Sequence, residues 1–256
     1  MSLQFNDTTN NRGMVQIYEK EIGVDRGFVS GNTARLKDFS TDVNLAWDKY
    51  LYLAFKGSGM WQFDDSSHTD YPVIYTNLVA DQRDYSFTTD EGGNLILDVF
   101  KVAILPSATA TLYEEIHPFD VQTDNTGTDV LTESTNSGVP IGYDKTANGI
   151  FLEPKPSYNA TNGLKVYINR EPSYFTHTDT TKKPGCPGIH HEYFALRAAL
   201  DHARRNDLDR YNRLLEAVVS YEGDEEKGII GSIERYFARR ERDVENILAT
   251  EQTPYL

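Results

Sequence analysis

The stretch Gly138–Phe175 constrains this chain most, because it reads as three short strands joined by turn chemistry. Pro140 fixes its own φ and biases Val139 away from the helical region, so Pro140 to Lys145 is predicted extended. Ala147-Asn148-Gly149 supplies the conformations that a hairpin turn needs. Ile150-Phe151-Leu152 is a compact apolar strand, ended by Pro154 and Pro156, which cannot donate to a ladder. Asn162-Gly163 reads as a second reversal. Leu164, Val166 and Ile168 then alternate with Lys165, Tyr167 and Asn169, the period of a half-buried strand. The sequence on both sides has helical periodicity. The expectation is an α+β fold: a helical bundle from the N- and C-terminal segments, with an antiparallel β domain inserted between them.

Residues 1–13 are polar and read as a loose arm. Met14, Val15, Tyr18 and Ile22 recur at helical spacing, and Gly23 stops the run. Asn32 or Thr33 is placed to cap a second helix. Its face is Leu36, Phe39, Val43, Trp47, Tyr50 and Ala54, and Gly57-Ser58-Gly59 ends it. Strand candidates follow at Val73-Ile74-Tyr75, Leu78-Val79, Gln82–Phe87, Leu95–Leu105 and Thr109–Ile116, with a strong turn at Asp90–Asn94. Residues 120–138, dense in Asp, Thr, Asn, Ser and Gly, read as a long exposed loop. Thr178–Gly188 reads as a linker. One helix is then defined by Ile189, Tyr193, Leu196, Leu200 and Ala203, and a second by Leu208, Tyr211, Leu214, Leu215 and Val218. A third begins at Ile229, Ile230, Ile233, Tyr236 and Phe237 and extends toward Val244, Ile247 and Leu248. The expected organisation is 1–70 for the arm and first helices, 71–177 for the inserted β domain, and 178–256 for the last helices and a terminal tail.

The net charge of −14 repels nucleic acid on average and leaves no footprint for sequence-specific DNA binding. A single cysteine, Cys186, excludes an intrachain disulfide. The N-terminus shows no apolar leader and no stretch is long enough to span a bilayer, so the expectation is a soluble protein made in a cytoplasm, with no membrane partner.

Each candidate for chemistry has a plainer explanation. Adjacent helical residues point about 100° apart, so His190-His191 is a poor chelating pair. It reads as a helix start with one ring packed and one solvated. His68, His117, His177 and His202 are scattered. Glu114-Glu115 and Asp64-Asp65 resemble carboxylate pairs, but glycoside hydrolysis needs a separation of roughly 5–10 Å that sequence does not fix. They read as solvated surface charge. Lys182, Lys183 and His190 lie near Cys186, yet no nucleophile motif surrounds it, and it reads as an inert thiol. No catalytic residue, metal site or cofactor is therefore expected. The run Glu234–Asp243 is different: Arg235, Arg239, Arg240 and Arg242 stand beside Tyr236 and Phe237 in an acidic chain. It reads either as an amphipathic helix with internal ion pairs or as a docking helix, since Arg and Tyr concentrate interface energy. As a docking element it would include Ile247 and Leu248, and the tail residues Tyr255 and Leu256 would order on assembly.

In order, these features resemble the head-to-tail connector proteins of tailed bacteriophages, also called adaptor, neck or tail tubular proteins. The resemblance covers most of the chain. It rests on the short helix ending in a glycine (Tyr18 to Gly23), the long amphipathic helix Leu36–Phe55, and Leu78–Phe87, LVADQRDYSF. It continues through Gly138, Pro140 and Tyr143, the strand closed by Leu152, Pro154 and Pro156, the extended Val166–Arg170, and the helix entry Pro187–Phe194. The loop at 120–138 and the N-terminal arm are not part of it.

The resemblance implies a non-enzymatic virion protein. About a dozen copies would form a closed ring, a dodecamer, under the portal vertex. The ring would bind the portal protein, offer a platform for tail or nozzle proteins, and let viral DNA pass without sequence-specific contact. The helical frame would surround the channel, the β block would face tail components, and the C-terminal segment would reach the portal. Two other readings remain: a carbohydrate- or receptor-binding virion component, because Tyr and Trp stack on sugars, and a hydrolase with an unrecognised carboxylate pair.

Overall fold

A computed structural model describes residues 2–58, 73–90, 93–119, 136–146 and 148–239. The fold is α+β, with N-terminal and C-terminal helices flanking an inserted, mostly antiparallel β-sheet domain. It divides into two compact units, one drawn from Met1–Thr69 and Pro172–Leu256 and the other from Asp70–Glu171.

The first unit is helical. Helix α1 (Met14–Ile22) buries Met14, Val15, Tyr18 and Ile22, and Gly23 ends it in the left-handed conformation, φ 73°. Helix α2 (Thr33–Ser58) starts where Asn32 Oδ1 accepts the amide hydrogens of Ala34 and Arg35. Its predicted face, Leu36 through Ala54, is buried throughout. The helix ends at Ser58, within the expected Gly57-Ser58-Gly59 stop, with Gly57 in its last turn. A Cβ there would meet the Glu234 carbonyl oxygen at 2.8 Å, so glycine allows the last helix to approach. Helix α3 (His191–Asn206) follows a 3₁₀ turn, Gly188–His190, and Asp207 caps α4 (Leu208–Glu222) by accepting from the Arg210 amide. Residues 232–239 are helical and are labelled α5.

The N-terminal segment is not a loose arm. Leu3 and Phe5 are buried, Phe5 stacks on Phe175 at 5.0 Å, and the Phe5 and Asn6 amides donate to the carbonyls of Lys182 and Thr180. The same bonds order the 178–188 segment, which is therefore part of the core's edge rather than a free linker. Ile189 is also corrected: it is 62% exposed in the 3₁₀ turn, outside the α3 stripe.

In the second unit, β1 (Val73–Leu78), β2 (Asp84–Ser86), β3 (Ile96–Ile104), β4 (Glu114–Pro118), β6 (Gly142–Thr146), β7 (Gly149–Glu153) and β9 (Ala160–Arg170) form a seven-stranded sheet. Its order is β1-β9-β3-β4-β6-β7-β2. Two short strands, β5 (Ser137–Gly138) and β8 (Lys155–Pro156), pair in parallel beside it, and β4 pairs in parallel with β6. The sheet is thus not wholly antiparallel. The β6–β7 hairpin matches its predicted turn, with Thr146 opposite Gly149.

Asn162-Gly163 does not reverse the chain. Both residues lie inside β9, where the register slips between the pairs Thr76–Leu164 and Leu78–Ala160. Asn162 takes φ 51° and its amide donates to Asn77 Oδ1, while a Cβ on Gly163 would sit 2.7 Å from Ala160 Cβ. The same residue types that make a turn here make a β-bulge. Residues 109–113 are likewise not strand; β4 begins at Glu114. The sheet core gathers Leu78, Val102, Ile104, Ile150, Leu152, Leu164, Val166 and Ile168. Of the predicted exposed loop at 120–138, residues 120–135 lie outside the described residues.

Candidate docking surface

Helix α5 carries the basic–aromatic cluster singled out from sequence. Ile233 and Phe237, four residues apart, face inward and are buried. Phe237 meets Tyr50 edge-on at 6.1 Å, so it belongs to the core and is not free to dock on a partner. Tyr236 is half-buried, its ring edge-on to His190 at 5.3 Å. Arg235 and Arg239 are exposed, and Arg235 Nη2 donates to the Ile230 carbonyl at 3.0 Å. Ile229 and Ile230 do not belong to this helix. They form β11 (Ile229–Ile230), paired with β10 (Gly223–Asp224) in a small hairpin, and both are exposed. Arg240, Arg242, Val244, Ile247, Leu248, Tyr255 and Leu256 lie outside the described residues, as do Asp64, Asp65 and His68.

Beneath α5 sits a buried polar cluster. His190 and His191 are both packed, correcting the expectation that one ring faces water. Burial had to be compensated, and hydrogen bonds supply it. The Leu3 amide donates to His191 Nδ1 at 2.9 Å, which leaves the proton on Nε2 to donate to the Cys186 carbonyl at 2.9 Å. One imidazole thereby ties the first residues of the chain to the entry of α3. The Tyr50 hydroxyl lies 2.8 Å from His190 Nδ1 and interacts with the nearby Cys186 thiol. Burial pushes the thiol pKa far up, so Cys186 is a neutral, packed thiol.

Burial, with His191 beside it, lowers the His190 pKa to about 4. Above about pH 6.5 the ring is neutral in both folded and unfolded chains and costs nothing. Below that, the unfolded chain takes up a proton that the folded one refuses. Stability is therefore expected to fall as pH drops from about 6.5 to about 4, by at most about 3 kcal/mol. Urea unfolding midpoints at pH 7 and pH 5 check this; His190→Gln should flatten the dependence in that window.

Other surfaces appear only in the fold. On α2, Leu45 and Tyr52 are 58% and 53% exposed, seven residues apart on one stripe, with Lys49 Nζ 5.0 Å from the Tyr52 ring centre. A groove of about 580 Å³ is lined by Tyr18, Ile22, Phe28 and Val29 together with Asp38, Asp42, His202 and Arg205. Burial raises the Asp42 pKa although Arg205 Nη2 stands 3.3 Å from it. Glu114 and Glu115 are exposed neighbours on β4, and Glu115 pairs with Lys101 at 2.5 Å. Among the described residues, no group of His, Cys, Asp or Glu is placed to hold a metal ion, and no helix is long and apolar enough to cross a membrane. His117, His177 and His202 stand apart on β4, in the segment before α3 and on α3.

No protein-family model and no curated protein matches this chain. Geometry and residue order therefore carry the functional argument.

Proposed function

We propose that this chain is a structural virion protein whose copies form a ring joining the portal vertex to the tail and extending the DNA channel. The observation that carries the reading is the construction of one helical unit from both chain ends, with the β unit inserted between α2 and α3. This is the element order on which the resemblance to head-to-tail connectors rests. Exposed Leu45 and Tyr52 on α2 support it, since a ring protein needs lateral contact surfaces. The charge of −14 supports a conduit that DNA passes without adhering.

The basic residues of α5 and the sequence that follows it are the proposed portal contact. Arg235 and Arg239 give register and encounter rate, and the apolar residues farther on give binding energy. Deleting residues 249–256 is expected to leave the fold and thermal unfolding unchanged. Incorporation onto portal-bearing particles should fall at least roughly tenfold, equivalent to about 1.4 kcal/mol. Equal incorporation of the truncated and full chains would refute the docking role of this segment.

A further inference from the structure

One surface of this chain sets a lysine among tyrosines, and another presents an exposed glutamate beside exposed isoleucines. We propose that the acidic β10–β11 hairpin of one copy docks on the tyrosine–lysine ledge of the β sheet in a second copy. The proposal rests on the ring reading above and names a contact for it.

The ledge is built by sheet register. Tyr75 on β1 lies directly opposite Lys165 on β9, and Tyr167 lies two residues along the same face of β9. Tyr113, just before β4, is fixed by its hydroxyl, which donates to the Asn162 carbonyl at 2.7 Å. The Lys165 ammonium stands 5.6, 5.5 and 4.9 Å from the ring centres of Tyr75, Tyr113 and Tyr167. The neighbouring Tyr167 and Tyr75 raise its pKa, favouring the charged form. Lys101, 5.7 Å from the Tyr167 ring centre, is neutralised by Glu115. Among the described residues no carboxylate pairs with Lys165. A cation held in place by aromatic rings, in a chain of charge −14, lacks only an acidic partner.

The hairpin offers one. Its turn holds Glu225, Glu226 and Lys227, and its second strand presents Ile229 and Ile230, 49% and 54% exposed. Lys56 pairs with Glu225 at 2.8 Å and Lys227 with Asp224 at 2.8 Å, and Arg235 Nη2 donates to the Ile230 carbonyl at the hairpin's end. Glu226 is exposed and has no ion-pair partner among the described residues. Docked on the ledge, Glu226 meets Lys165, and one of the two isoleucines, which as strand neighbours point to opposite faces of the hairpin, covers the tyrosine rings. The joined patches are different, so the contact is head-to-tail, and such contacts close into rings or extend.

The test is sedimentation equilibrium of the full chain at rising protein concentration, where the wild type should associate weakly. Lys165→Glu alone and Glu226→Lys alone should each weaken association at least roughly tenfold. Glu226 is exposed and Lys165 half-buried, and unchanged thermal unfolding will show that each variant is folded. Mixing the two variants should restore association, because each contact between one variant and the other joins opposite charges, while contacts between copies of the same variant stay repulsive. Wild-type-like association of either variant, or no restoration on mixing, would overturn the contact and leave the portal-ring reading untouched. A wild type that never self-associates but binds an acidic oligosaccharide through Lys165 would also overturn it. Failure to join a portal ring, measured separately, would instead count against the connector reading.

Discussion

Phe5→Ala is expected to cost about 3–5 kcal/mol of stability, an effect normal for a core aromatic but not for a residue in a polar N-terminal segment. The Phe5 ring is fully buried, stacked on Phe175 and 5.6 Å from Phe39. Its removal leaves a cavity between the chain's first residues, α2 and the segment before α3. The neighbouring backbone is pinned by the Leu3–His191 and Phe5–Lys182 hydrogen bonds, so little collapse can fill it. Urea unfolding of wild type and variant measures the loss. A change below about 1 kcal/mol would mean that the segment is detachable.

Glu19→Ala is expected to be comparably damaging. The carboxylate is buried and accepts the amide hydrogens of Gly27, Val29 and Ser30 and the Ser30 hydroxyl, at 2.8–3.2 Å. It is the acceptor that holds the 24–31 loop closed on α1. Without it several amides lose their partner, each at about 1–3 kcal/mol where water cannot replace it, most clearly at buried Val29. Glu19→Gln retains one oxygen acceptor and should lose less than half as much. Thermal unfolding, with hydrogen exchange at Val29 and Ser30, distinguishes this loop clamp from a simple packing role. Equal effects of alanine and glutamine would exclude it.

The helices were legible because their apolar stripes have a period of their own. Every residue of the Leu36–Ala54 stripe is buried, and Gly23 stops its helix as its chemistry requires. Legibility failed where one residue type serves two geometries. Asn162-Gly163 makes a bulge instead of a turn, and Ile229-Ile230 continues the apolar count of α5 yet forms a hairpin strand. Glu19 and Phe5 act over distances that sequence spacing does not encode. The candidate surfaces were half-visible for the same reason. The arginines of α5 are contiguous and stood out, but Phe237 proved to be core. The ledge joins Tyr75, Tyr113 and Tyr167, residues far apart in the chain that meet only through strand register.

The central claim, a ring protein that seats on a portal, is tested most directly by mass. The purified chain, 29.0 kDa, should be monomeric at low concentration. Mixed with portal rings, it should add in a fixed number of copies per ring, giving one discrete heavier species. A chain that leaves the mass of the portal ring unchanged at saturating concentration would contradict the account.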